Sequence, residues 1–372
     1  MVKMSDTISI TIKLIVVSLP IVRLEPLDRD NFFLNFGYDD ALVEENQKAG
    51  HYLTESIAGQ TYYVPWLNLT PNEKANFKLN FLYDEMFVSK IVVGIPQLTT
   101  EKSLNNSINY HKEYSLYFLL VANNDIFING LDSLVIPIDR LNDPIIISAN
   151  KQTSGFIEIY AVDKFTKMVS KAGRLQVDCR KLKTIGTIRM IKTKRKCENE
   201  YPDIDPDNML TLINQYYRQA AVEFKMDDRP IDSLIINKGM HDTIYASYLS
   251  EKYKISAVDS SRKYYLFFVS RPDSVYKNKK LVVNTTNGST SKIGGHYVQI
   301  YLPKNSLLNI VQTTMVHELG HALGLYHTFS SKNKGIQSMD KHGTTCIMDY
   351  ESKYTNHRKL FYKYQIEKIY KK

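Results

Sequence analysis

The stretch His317-Glu318-Leu319-Gly320-His321-Ala322-Leu323-Gly324-Leu325-Tyr326-His327 decides how this chain is read. It fills every fixed position of the pattern H-E-x-x-H-x-x-G-x-x-H. With the chain's own histidine and glycine frequencies, a chance match is on the order of 1 in 100,000, whereas bare H-E-x-x-H fixes only three positions. On an α-helix, residues i and i+4 share a face about 5–6 Å apart, so His317 and His321 can aim at one ion. Leu307, Leu308, Ile310, Val311, Met315, Leu319 and Leu323 recur at roughly helical spacing, and Asn305 or Ser306 offers an N-cap. Glu318 is rotated about 100° from His317, which puts it beside a metal and suits a general base acting on water. Gly324 is where the helix should stop, since glycine enters the left-handed region freely, and the reversal brings His327 in from another direction. Three protein ligands leave a fourth position open, the arrangement of a catalytic rather than a structural zinc. The competing reading is a buried helix that merely carries histidines. Their ring nitrogens would then each need a partner in an apolar helix, which is costly.

Met348 lies 21 residues after His327, within Cys346-Ile347-Met348-Asp349-Tyr350. With this second element the chain resembles the metzincin zinc proteases, whose methionine turn forms an apolar floor beneath the metal. Met348 matches that methionine. Tyr350 matches the tyrosine that follows the turn in astacin-like and serralysin-like relatives, where it implies a phenol stabilising the oxyanion; simple ring packing is the alternative. His321 to Phe329, together with Met348-Asp349-Tyr350, Phe361 and Gln365, is most similar to the pappalysins. The resemblance covers about residues 305–370 well and 185–304 by general layout. It implies a zinc endopeptidase with zinc on His317, His321 and His327, Glu318 as base, and a protein or peptide substrate added as an extended strand to a sheet edge. It also implies work outside the cytoplasm. Pappalysins usually carry a longer, cysteine-bearing and calcium-binding segment before the methionine turn. Residues 328–345 are short, lack cysteine and hold only Asp340 as a carboxylate, so neither calcium nor disulfides carry over.

At 372 residues, length favours two domains or one large one. Hydrophobic content of 43% with 23% charge fits a soluble globular protein, and 26 tyrosines with 15 phenylalanines favour β-structure. Asn76–Phe81, Tyr114–Ala122, Ser133–Ile138, Pro144–Ala149 and Gly155–Val162 read as strands, separated by turns such as Asn123-Asn124-Asp125 and Asn129-Gly130. Residues 1–180 are therefore expected to be β-rich, as one or two β-sandwich modules. Residues 181–372 would form the zinc protease domain, and the boundary falls between about Lys167 and Lys183. The class is α+β, with a twisted mixed sheet and an active-site helix. Thr187–Ile191, Ser233–Ile236, Tyr264–Val269 and His296–Leu302 read as its strands, the last as the sheet's edge. Asn208–Phe224 reads as a helix.

Charge divides along the chain. Residues 1–180 hold 17 Lys and Arg against 21 Asp and Glu, and residues 181–372 hold 31 against 18. The excess sits in Arg180–Lys196 and Lys277–Lys280, read as solvated surface or an interdomain contact. No nucleic-acid module is recognisable, so no nucleic-acid partner is expected. No stretch approaches 18 apolar residues, so no membrane span is expected. Residues 8–22 alternate like a strand, Lys13 and Pro20 interrupt them, and no clear signal peptide is present. The export route and oligomeric state are not legible, and a cytoplasmic location stays open. Cys179, Cys197 and Cys346 form no disulfide framework, although Cys179 and Cys197 could pair. Lys196-Cys197-Glu198 is a weak match to a cysteine latch, and a plain thiol or disulfide is favoured. His241 and His296 lack ligand-like neighbours and stay outside the metal set, His296 as an ordinary surface residue. A second reading is a secreted binding, delivery or toxin-type protein in which the β-rich half carries the main role.

Overall fold

Asn76-Phe77-Lys78-Leu79-Asn80-Phe81 alternates as a half-buried strand should, and Phe77 and Leu79 point into a core while Asn80 faces solvent. The computed structural model describes residues 20–28, 32, 35–82, 116–164, 167–196, 199–228, 232–236, 263–270, 274–277, 280–283, 287–290, 292–302, 308–330, 344–350 and 358–372. In the first half, one sheet runs in the order β1 (Val22–Pro26), β6 (Lys74–Phe81), β10 (Ile145–Ala149), β8 (Ile126–Ile128), with antiparallel neighbours. A second runs β2 (Gly37–Asp39), β5 (Trp66–Leu69), β12 (Val169–Cys179), β11 (Thr153–Asp163), β7 (Leu116–Ala122), β9 (Ser133–Pro137), and only β5 and β12 pair in parallel. Phe77, Leu79 and Ile147 from the first sheet meet Leu120, Ile159 and Leu175 from the second in one core, so this half is a single sandwich. A hairpin of β3 (Thr54–Ile57) and β4 (Gln60–Tyr63) and a short helix α1 (Glu44–Lys48) flank it. Asn124, Asp125, Asn129 and Gly130 take positive φ in the two tight turns, which Asn, Asp and Gly tolerate best.

The sandwich ends at Cys179 and a new sheet begins with β13 (Lys183–Arg195). Its order is β14 (Val222–Met226), β13, β16 (Lys263–Ser270), β20 (Tyr297–Leu302), β19 (Gly288–Thr290), and β15 (Asp232–Ile236) also pairs with β13. Every pairing is parallel except that of β19 with β20. A separate hairpin joins β17 (Ser274–Lys277) and β18 (Lys280–Val283). Helices α2 (Pro206–Tyr217), α3 (Leu308–Ala322) and α4 (Lys363–Tyr370) share one core with Ile188, Leu266, Phe268, Val298 and Ile300 of the sheet. The chain is thus mixed α/β and rich in strand, with mixed sheets. No helix among the described residues is long and apolar enough to cross a membrane.

Several sequence expectations need correction. The helix expected over Asn208–Phe224 stops at Tyr217; Asp205 caps it by accepting from Asn208 N–H, and Pro206 opens its first turn. A 3₁₀ turn and left-handed Ala221 follow, and Val222 and Phe224 belong to β14. Their alternation with Glu223 and Lys225 has period two, which the helical reading overlooked. The His296–Leu302 strand is inner, not the edge: β19 covers it, and a Gly-Ser-Thr tripeptide gives no hydrophobic signal. His296 is half-buried, its Nδ1 lying 2.9 Å from the Lys263 carbonyl and its ring against Tyr264. Much of the basic run Arg180–Lys196 is the inner strand β13, with Arg189 buried. Cys179 is a free, buried thiol. Residues 8–19, Cys197, His241, Asn305, Ser306, Leu307, Asp340 and the side chains of Lys277–Lys280 lie outside the described residues.

The halves share buried contacts. Trp66 of the sandwich belongs to the core of the second half, and its indole N–H donates to Asp178 at 2.8 Å. The Arg180 guanidinium lies over the rings of both Trp66 and Tyr370, which makes that residue a contact between the halves. Asp39 accepts from the Lys363 N–H at 2.9 Å, Asn68 donates to the Gln219 carbonyl at 2.9 Å, and Glu73 pairs with Arg218. A Cβ at Gly37 would come within 2.5 Å of the Gln219 carbonyl oxygen, so backbone meets backbone there.

Candidate metal centre

α3 places His317 and His321 one turn apart on a buried face, with ring centroids 4.7 Å apart. The helix ends as the glycine predicts. Gly324 has φ of 94°, its N–H donates to the His321 carbonyl, and the Leu325 N–H donates to the Gly320 carbonyl. This pair of bonds is a Schellman motif, and it turns the chain back under the helix. His327 returns with its Nε2 3.1 Å from His317 Nε2 and 3.0 Å from His321 Nε2. Imidazoles bonded to one small tetrahedral cation stand about 3.3 Å apart at their nitrogens, so the three rings are close to that arrangement.

The outer nitrogens explain the convergence. His317 Nδ1 lies 2.7 Å from the Ile347 carbonyl and His321 Nδ1 2.8 Å from the Leu325 carbonyl. Carbonyls only accept, so both Nδ1 atoms carry the proton and both Nε2 lone pairs face inward. Burial lowers the pKa of both rings; at His317 the neighbouring His321 and the Arg358 guanidinium lower it further. Neutral imidazole is the form that binds a cation, and His317, His321 and His327 are close enough to hold a metal ion.

Glu318 is buried beside the histidines, and burial pushes its pKa to about 7, against the opposing hydrogen bond from Thr290. Thr290 Oγ1 lies 2.7 Å from Glu318 Oε2 and 2.8 Å from the Glu318 carbonyl. Met348 is fully buried directly against the helix: a Cβ at Gly320 would stand 2.5 Å from its sulfur. Tyr350 is half-buried, its ring centroid 4.7 Å from His327 and 5.9 Å from His317, while Phe329 stacks on His327. Burial first, then Glu318, raises the Tyr350 pKa.

The Met348 turn is tied down on every side. Met348 O accepts from Thr328 N–H, Asp349 accepts from Thr344 through both its N–H and its hydroxyl, and Asp349 O accepts from Arg358 at 2.8 Å. Buried Cys346 donates its thiol to Gln365 at 3.1 Å, and Gln365 also accepts from the Tyr362 N–H at the start of α4. Phe361 packs on Tyr217 and its N–H donates to Gln219.

The structure therefore brings together His317, Glu318, His321, His327, Met348 and Tyr350. Sequence reasoning missed Thr290, Gly288, Arg358 and Gly320. Only Gly320 had a local signal, as a glycine in mid-helix, where an alanine would be about 1 kcal/mol better unless space forbids it. Neither a scan against protein-family models nor a search of curated proteins finds a match to this chain.

Proposed function

We propose that the chain is a metal-dependent hydrolase. In particular we infer a zinc endopeptidase of the metzincin type, most like the pappalysins. The observation that carries this is the convergence of three imidazole nitrogens, those of His317 and His321 on neutral rings, beside a buried carboxyl. Support also comes from the methionine packed under Gly320 and the antiparallel edge strand beside Glu318, both in keeping with the metzincin resemblance. Neutral nitrogen donors suit zinc, and His317, His321 and His327 would hold it. When bound, zinc supplies Lewis acidity toward a carbonyl oxygen and acidifies water.

The chain's own residues do the rest. Glu318, with a pKa near neutrality, takes a proton from water and passes it to the leaving amine nitrogen. Tyr350, beside His327, donates its hydroxyl to the oxygen that gains negative charge. β19 pairs only with β20 among the described residues, and its outer edge takes an extended peptide through main-chain hydrogen bonds. We read the sandwich as part of the same unit, because Trp66 and Asp39 are built into the core and contacts of the second half. The test is Glu318→Gln. The variant should keep its metal by elemental analysis and lose at least ~100-fold in peptide hydrolysis. Wild-type turnover in the metal-loaded variant would remove Glu318 from the mechanism.

A further inference from the structure

Two of the three residues of β19 touch the Glu318 side chain. A Cβ on Gly288 would stand 2.8 Å from Glu318 Cγ and 2.7 Å from Thr314 Cγ2, so the strand is pressed against α3 with no room for a larger residue. Two positions on, and so on the same face of the strand, Thr290 reaches the carboxyl and the main-chain carbonyl of the same glutamate. The carbonyl can only accept, whereas the hydroxyl has one proton and two lone pairs. Thr290 therefore has both acceptors of one residue within reach of a single hydroxyl. It donates to the carboxylate.

We infer that Thr290 is a positioning residue that holds the Glu318 carboxyl in one place beside the histidines. This rests on the reading of Glu318 as the general base. A glutamate on a helix has three rotatable bonds, and here the edge strand takes away their freedom. A misplacement of about 1 Å at a reacting group costs up to ~100-fold in rate. An extended peptide adding to β19 would pair with the main chain of the residues that fix the base, so substrate docking and base alignment share one strand.

Thr290→Val keeps the shape and removes the hydroxyl, while Thr290→Ser keeps the hydroxyl. On an extended peptide, with metal content matched, T290V should lose about 10- to 100-fold in kcat with KM within about twofold, and T290S should recover most of it. Crystal structures of the metal-free proteins give a readout that needs no turnover: the Glu318 carboxyl should leave its place in T290V and keep it in T290S. If T290V does not fold, Thr290→Ala makes the same comparison. Full kcat in the variant lacking the hydroxyl overturns the inference; so does an unmoved carboxyl, and so does an equal loss in T290S, which would mean that the strand had merely been unsettled. Wild-type hydrolysis by E318Q would defeat the proposed function instead, and the carboxyl displacement would still report on Thr290.

Discussion

Asp39 tests how the two halves are joined. It ends β2 at 4% exposure, with Oδ2 accepting the Lys363 N–H and Oδ1 accepting the Tyr52 hydroxyl at 2.8 Å and the Ala41 N–H at 3.2 Å. Burial outweighs these bonds and raises its pKa from 3.8 to about 6. The folded chain therefore holds the proton more tightly than the unfolded chain. Linkage then gives a contribution that is complete below about pH 4 and lost as pH rises through about 6. A shift of roughly two units at about 1.36 kcal/mol each makes that contribution about 3 kcal/mol. Asp39→Asn cannot titrate. The stability of wild type minus that of the variant should fall by about 2.4 kcal/mol between pH 4 and pH 7, most of the full contribution. Urea unfolding of both proteins at matched pH measures this, and the other titrating groups cancel in the difference. Trp66 is the chain's only tryptophan and is fully buried where the halves meet, so its fluorescence reports that junction, and circular dichroism reports the whole. A difference that stays flat with pH would refute the buried Asp39 contact. A fluorescence transition separate from the dichroism would refute the shared core.

Further outcomes follow from the site. His317→Ala or His321→Ala should abolish stoichiometric metal binding, read by elemental analysis after dialysis, since each removes one of three convergent nitrogens; full metal in both would remove the assignment. Tyr350→Phe should lower kcat and leave KM nearly unchanged, because an oxyanion contact acts only in the transition state; the loss is at most about 2.7–4 kcal/mol, less if a metal shares the charge. Kinetics identical to wild type would reduce Tyr350 to a packing residue. Gly324→Ala meets no atom closer than 3.7 Å, so only its φ of 94° opposes it. A left-handed penalty of about 1–2 kcal/mol, offset by about 0.4–1 kcal/mol of lost unfolded-state entropy, predicts a net loss near 1 kcal/mol in denaturant unfolding. An unchanged midpoint would mean the turn is not held in that conformation.

The histidine cluster was legible because its spacing is a property of eleven consecutive residues: one helical turn, then a glycine-permitted reversal. The sandwich strands were legible for the same local reason, as in the alternation around Phe77 and Leu79. The residues that were missed act across long stretches of chain. Thr290 reaches Glu318 from a strand too short to show a period, and Arg358 meets the site from 41 residues beyond His317. Asp39 and Lys363 are 324 residues apart, and no pattern in either neighbourhood announces the other. Phe224 misled because it lies four residues after Ala220, a helical step, and only its two-residue spacing from Val222 marks the strand.

Ile347, Met348 and Asp349 make three separate contacts in succession, two with α3 and one beyond it: the carbonyl of the first orients His317, the sulfur of the second meets Gly320, and the carbonyl of the third takes Arg358. For protein design, this makes the histidine motif non-portable. A helix bearing H-E-x-x-H, grafted alone onto another scaffold, would arrive with an imidazole free to flip and a glycine-sized hole beneath it. Inserting or deleting one residue in this tripeptide would misalign all three contacts together, so length at this point should be far less tolerant of engineering than composition.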